Sequence, residues 1–187
     1  DLKKFQDNFR SFIMIFSVEQ KKALEDHFSK NIGVDTLKAI LGLDIENNQI
    51  FGFELLKLAE FNKDEYALIL GIFYIIIDNQ DIDDNIFCFI KKIYFSEWHH
   101  EHENILSIFS KKISCKYLDF LYEAIIFVPQ YLVGFEERSI ARRAFFGFGR
   151  NISCPKALEY LNQFLNDPDP TLRGFANEQF KILGIKV

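Results

Sequence analysis

Ser114-Cys115-Lys116-Tyr117-Leu118-Asp119-Phe120-Leu121 and Ser153-Cys154-Pro155-Lys156-Ala157-Leu158-Glu159-Tyr160-Leu161 repeat one another. With one gap at Pro155, Leu118, Phe120 and Leu121 fall on Leu158, Tyr160 and Leu161. Each stretch leads into a second helix-like segment, and these align too: Ala144 and Phe148 correspond to Ala176 and Phe180. A helix pair that recurs at a period of about 32 to 40 residues marks an α-solenoid. One pair cannot bury its apolar face alone, so neighbouring pairs stack into a continuous core. The expected fold is all-α, a short solenoid of stacked antiparallel helix pairs with about ten helices.

The rest of the chain fits that reading. Phe5, Phe9, Phe12, Ile13 and Phe16 recur at helical spacing. Ser17-Val18-Glu19-Gln20 has the form of a capping box and predicts a helix to about Lys30, closed by Gly33 as a left-handed cap. Short helices are expected over Asp35 to Leu41 and Asn47 to Phe61, with Asp64 capping a further one that ends at Ile77. Ile86, Phe89, Ile90 and Ile93 mark another buried face, and Cys88 beside them reads as core. Glu97 to Ser110 is the next predicted helix, and Ser114 caps one that runs to Phe127. After Pro129 and Gly134 comes the segment Glu136 to Arg150, then a helix from Pro155. In Asp167-Pro168-Asp169-Pro170, Asp169 is the N-cap and Pro170 sits in the first turn of the last helix. No linker interrupts this, so one domain over 1–187 is expected, irregular over 1–80 and repetitive over 81–187.

Composition narrows the function classes. Hydrophobic residues make up 49% and charged residues 26% of the 187, with 22 Phe. The net charge of −5 gives no basic excess for gripping phosphates, so nucleic acid is not the expected partner. The apolar run from Tyr66 to Ile77 is too short to span a bilayer, and no membrane association is expected. The three separated cysteines, Cys88, Cys115 and Cys154, read as reduced thiols, and the expected location is the cytoplasm. No nucleophilic set and no phosphate loop occur, so neither catalysis nor a cofactor is expected.

Asn166-Asp167-Pro168-Asp169-Pro170-Thr171-Leu172-Arg173-Gly174-Phe175-Ala176 resembles the turn and second helix of a HEAT repeat. Arg142-Arg143-Ala144-Phe145-Phe146-Gly147-Phe148-Gly149-Arg150 resembles another part of that pattern, with Phe148 in place of Leu. The run Glu97-Trp98-His99-His100-Glu101-His102-Glu103-Asn104-Ile105 is similar to a Trp-His-x-x-His-Glu-Asp motif. Small bacterial HEAT-like proteins carry it before their repeats, and Asn104 departs from it. Members of that group often look like immunity proteins of polymorphic or contact-dependent toxin systems. The resemblance therefore implies a non-enzymatic protein that binds and neutralises a cognate toxin domain. The alternatives are a general HEAT-like scaffold and a HEAT-like DNA-repair protein.

Two constellations have a functional and a structural reading. His99, His102 and Glu103, at helical spacing, would share one face, a geometry a divalent ion can use. No further ligand is evident, so no metal is expected. Trp98, His99, His102, Glu103, Arg142 and Arg173 are read as a structural motif whose polar groups bond to neighbouring helices or carbonyls. The acidic residues Asp78, Asp81, Asp83 and Asp84 form a candidate docking patch for a basic toxin domain, with Glu136 and Glu137 as a second one. They also suit helix capping on a solvated surface.

Overall fold

The computed structural model describes residues 15–78, 81–134 and 138–186. Among these, ten α-helices and two short 3₁₀ turns occur, and no strand. The predicted helix through Phe5 lies outside the described residues, as do Glu136 and Glu137. Contacts divide the chain into two compact units, Asp1–Phe87 and Cys88–Val187.

In the first unit α1 (Val18–Phe28) opens with the capping box. Ser17 Oγ accepts from the Gln20 amide, and Gln20 Oε1 accepts from the Ser17 amide. The helix ends at Phe28, and Lys30, two residues on, takes with its φ of 62° the left-handed role expected of Gly33. Gly33 instead precedes α2 (Val34–Leu41) in an extended conformation. Asn47 and Asp64 cap α3 (Asn48–Asn62) and α4 (Glu65–Ile76) through their side chains. These two helices form the main contact of the unit. A Cβ added at Gly52 would lie 2.6 Å from the Gly71 carbonyl oxygen, and one at Gly71 would lie 2.9 Å from that of Gly52. Two bare glycines therefore let the backbones meet. His27 adds a polar tie, with Nδ1 donating to the Ile32 carbonyl at 2.9 Å and Nε2 accepting from the Tyr74 hydroxyl at 2.7 Å.

Helix α5 (Asp84–Tyr94) carries the chain across the division at residue 87. Ile86, Ile90 and Ile93 are buried as expected, while Phe89, assigned to the same face, is half-buried. Cys88 is exposed, which corrects its placement in the core. The buried isoleucines recur three and four residues apart, and residue 88 falls on the opposite side of the helix.

The second unit contains α6 (His102–Lys111), α7 (Leu118–Ile126), α8 (Ser139–Arg150), α9 (Pro155–Phe164) and α10 (Pro170–Leu183). Helix α8 packs against α6, α7 and α10. Asp169 and Pro170 start α10 as the sequence indicates, and Gly184 closes it in the left-handed region. Ile140, Ala144 and Phe148 of α8 are buried, and so are Leu172, Ala176 and Phe180, the residues 32 positions on in α10. The first helices match less fully. Leu121 and Leu161 are both inaccessible, but Leu158 is 36% exposed where Leu118 is fully buried.

Cys115 and Cys154, the aligned cysteines of the repeat, are joined in a disulfide with their Cα atoms 5.9 Å apart. This overturns the expectation of reduced thiols and removes the argument that cysteine usage gave for a reducing compartment. Spacing in the chain hid the pair, because the residues lie 39 positions apart and meet only when the helix starts stack.

Candidate functional site

The chain reaches the Trp98 motif out of α5, and the backbone from Ser96 to Glu101 is irregular before α6 begins at His102. A helix starting at Glu97 is thus corrected. His99 precedes the helix, so His99, His102 and Glu103 do not share a helical face. The two imidazoles nevertheless stack, with centroids 4.2 Å apart, and both rings are buried.

Hydrogen bonds account for the ring nitrogens. His99 Nε2 donates to the Ile93 carbonyl at 2.9 Å, and its Nδ1 accepts from the Glu101 amide at 3.2 Å. His102 Nε2 donates to the Ser96 carbonyl at 3.1 Å, and its Nδ1 faces the Tyr131 hydroxyl at 3.3 Å. The same hydroxyl lies 3.0 Å from the His100 carbonyl oxygen. Burial, and next the neighbouring His99, lower the His102 pKa to about 4, so the ring is neutral near pH 7. Around it sit Tyr94, Phe127 and Tyr131. Burial raises the Tyr94 pKa, and its hydroxyl has no hydrogen-bond partner among the described residues. The Glu97 carboxylate leaves this cluster and accepts from the Gln130 amide at 2.9 Å.

Glu103 faces away toward α8, where it accepts from Arg143 Nε at 2.8 Å. Among the described residues no group of three or more His, Cys, Asp or Glu is arranged to hold a metal ion. The imidazoles tie the 93–101 backbone to the start of α6.

The arginines also bridge helices. Arg142 lies 3.9 Å from Glu178, and Arg138 lies 3.5 Å from Asp169. Arg173 Nη1 donates to the carbonyls of Asp167 and Pro168 at 2.6 and 3.0 Å, so it braces its own turn. Asn151, almost fully buried, donates to the Lys112 and Gly147 carbonyls and ties the end of α8 to the end of α6.

The acidic residues sit in the first unit. Asp78 accepts from Asn48 Nδ2 at 3.2 Å. Gln49 holds the following stretch, donating to the Asp81 carbonyl and accepting from the Asp83 amide. Asp83 Oδ1 accepts from the Asn85 amide at 2.8 Å, which makes it a helix cap. Asp81, Asp83 and Asp84 remain exposed, so capping and a role as a surface patch are compatible.

Sequence reasoning missed an open groove of about 370 Å³ between α6, α8 and α10. Lys111, Arg143, Phe146, Arg150, Gln179 and Ile182 line it. Its signal was present, since Phe146 and Ile182 are apolar yet fall outside the register of the buried residues on their helices. Comparison with protein-family models, curated proteins and solved structures finds no match to this chain. No helix among the described residues is long and apolar enough to cross a membrane.

Proposed function

We propose that this chain is a non-enzymatic protein-binding module, a short HEAT-like solenoid that acts as an immunity protein against a bacterial toxin domain. The observation that carries the binding-module reading is the equivalence of α8 and α10. Three buried positions of one recur in the other at a single offset, and a disulfide joins the aligned starts of the preceding helices. Stacked pairs of this kind expose extended helix faces suited to a partner. The immunity role rests on the resemblance of the Trp98 motif and of the Arg142 and Arg173 segments.

In this reading the toxin domain is basic, and the exposed Asp81, Asp83 and Asp84 steer it into a complex that occludes its active site. Charge reversal at the three positions should slow association about tenfold or more at low salt. Association rates unchanged by all three would remove the patch from the account.

The test of function is capture of the tagged chain from its host's lysate. The expected partner is a large secreted or surface protein, held through a C-terminal domain. That domain alone should arrest growth, and co-expression of this chain should restore it. Recovery of a constitutive housekeeping complex, with no growth arrest to relieve, would favour a general scaffold instead.

A further inference from the structure

We propose that the groove between α6, α8 and α10 binds an acidic peptide segment that carries an aliphatic or aromatic side chain beside its carboxylates. The inference needs only the groove and does not depend on the immunity reading. Its volume of about 370 Å³ lies within the range of sites that hold a few side chains.

Three features define the occupant. The first is charge. The chain as a whole is acidic, yet cations gather here. Lys111 and Arg150 are exposed at the rim, and neither makes an ion pair among the described residues. Arg143 is held in place by Glu103, so its guanidinium is pre-oriented and its charge is balanced. Carboxylates are the natural complement of the two rim cations.

The second feature is apolar surface. Phe146 of α8 is 39% exposed and Ile182 of α10 is 63% exposed, and both line the groove, so apolar surface seated there would cover them.

The third is Gln179. It is only 3% exposed, lines the groove, and makes no hydrogen bond among the described residues. Gly149 makes room for it, because a Cβ there would come within 2.3 Å of Gln179 Oε1. The Gln179 amide opens onto the groove without a partner from the described residues, so a ligand can take the place of water there. A peptide main chain offers both the carbonyl and the N–H that a primary amide can use at once. A polyanion such as single-stranded DNA fits less well. It gains from many phosphate contacts, whereas this groove offers two unpaired cations amid aliphatic surface in a chain of net charge −5.

Selection of a phage-displayed random peptide library on the full chain tests the proposal. Enriched peptides should place two or more Asp or Glu within a few residues of a Leu, Ile or Phe. Their affinity should fall about tenfold or more for the Lys111→Glu, Arg150→Glu double variant, whose changes lie on the exposed rim. Gln179→Leu should weaken them as well while the circular dichroism melt shows a folded chain. If that variant does not fold, the rim variant decides alone. The proposal is overturned if no peptide is enriched, if the enriched ones lack acidic residues, or if the rim variant binds them as well as the parent chain. Displacement of the peptides by a short oligothymidylate that itself binds more tightly would also overturn it, in favour of a polyanion site.

Discussion

In the first unit α3 and α4 come so close at Gly52 and Gly71 that neither position has room for a methyl group. In the second unit neighbouring helices are joined by side chains that reach across. Cys115 bonds to Cys154, Asp119 accepts from Lys156 and Tyr160, and Glu103 accepts from Arg143. The α3–α4 contact rests on bare glycines; the second unit also has a close approach, where a Cβ at Gly147 would lie 3.1 Å from Ser110 Cα, and adds these side-chain links. Both give buried helical cores, but they should fail under different perturbations.

The largest expected effect is loss of the disulfide. Closing a loop across 39 positions restricts the unfolded chain, and by the loop-entropy account the bridge contributes about 4 kcal/mol. Urea unfolding with and without a reductant should show an unfolding free energy lower by that order, seen as a lower midpoint. The Cys115→Ser, Cys154→Ser variant should start low and ignore the reductant. A parent chain indifferent to reduction would mean that helix packing alone holds the starts of α7 and α9 together.

Acid should act next, through the motif before α6. His102 titrates at about 4 in the folded chain against 6.5 ordinarily, so the unfolded chain binds its proton first. Stability from this group is complete above about pH 6.5 and is lost as the pH falls toward 4. The full loss is about 3 kcal/mol. His102→Gln should flatten that part of the pH profile, since Gln has no proton to take up. A parent profile with no slope in this window would contradict the buried neutral imidazole.

Glycine substitutions sharpen the contrast at smaller scale. Gly52→Ala forces a methyl group against the α4 backbone and should cost about 2 kcal/mol, read as a shifted urea midpoint at constant slope. Gly174→Ala in α10 meets nothing within 4 Å, and the gain in helix propensity should stabilise by about 1 kcal/mol. Equal effects at the two sites would show that the close approach of α3 and α4 carries no special weight.

The same distinction explains what could be read beforehand. Capping signals are local, and Ser17, Asp64 and Asp169 all cap as their sequence contexts imply, while Asn47, read as the first residue of its helix, caps it. The equivalence of Ala144 with Ala176 and of Phe148 with Phe180 was legible because buried positions constrain residue type at a fixed offset. The close approach at Gly52 was not, since a missing side chain leaves no periodic trace. The helix start at His102 was hidden for a different reason. Trp98 and His99 have helical spacing to His102, yet they lie in an irregular turn, and the imidazoles bind a carbonyl at the end of α5 and one in that turn. Cys88 was misplaced because its apolar neighbours outweighed its position on the helix. Gln179 and Lys111 carried no signal until α6, α8 and α10 were brought together.

The link between Cys115 and Cys154 joins the start of α7 to the start of α9. Peptide mapping of the chain purified without reductant, after alkylation of free thiols, tests this most directly. The account predicts a peptide linking Cys115 to Cys154 and alkylation of Cys88 alone. Alkylation of all three cysteines, or a link that includes Cys88, would contradict it.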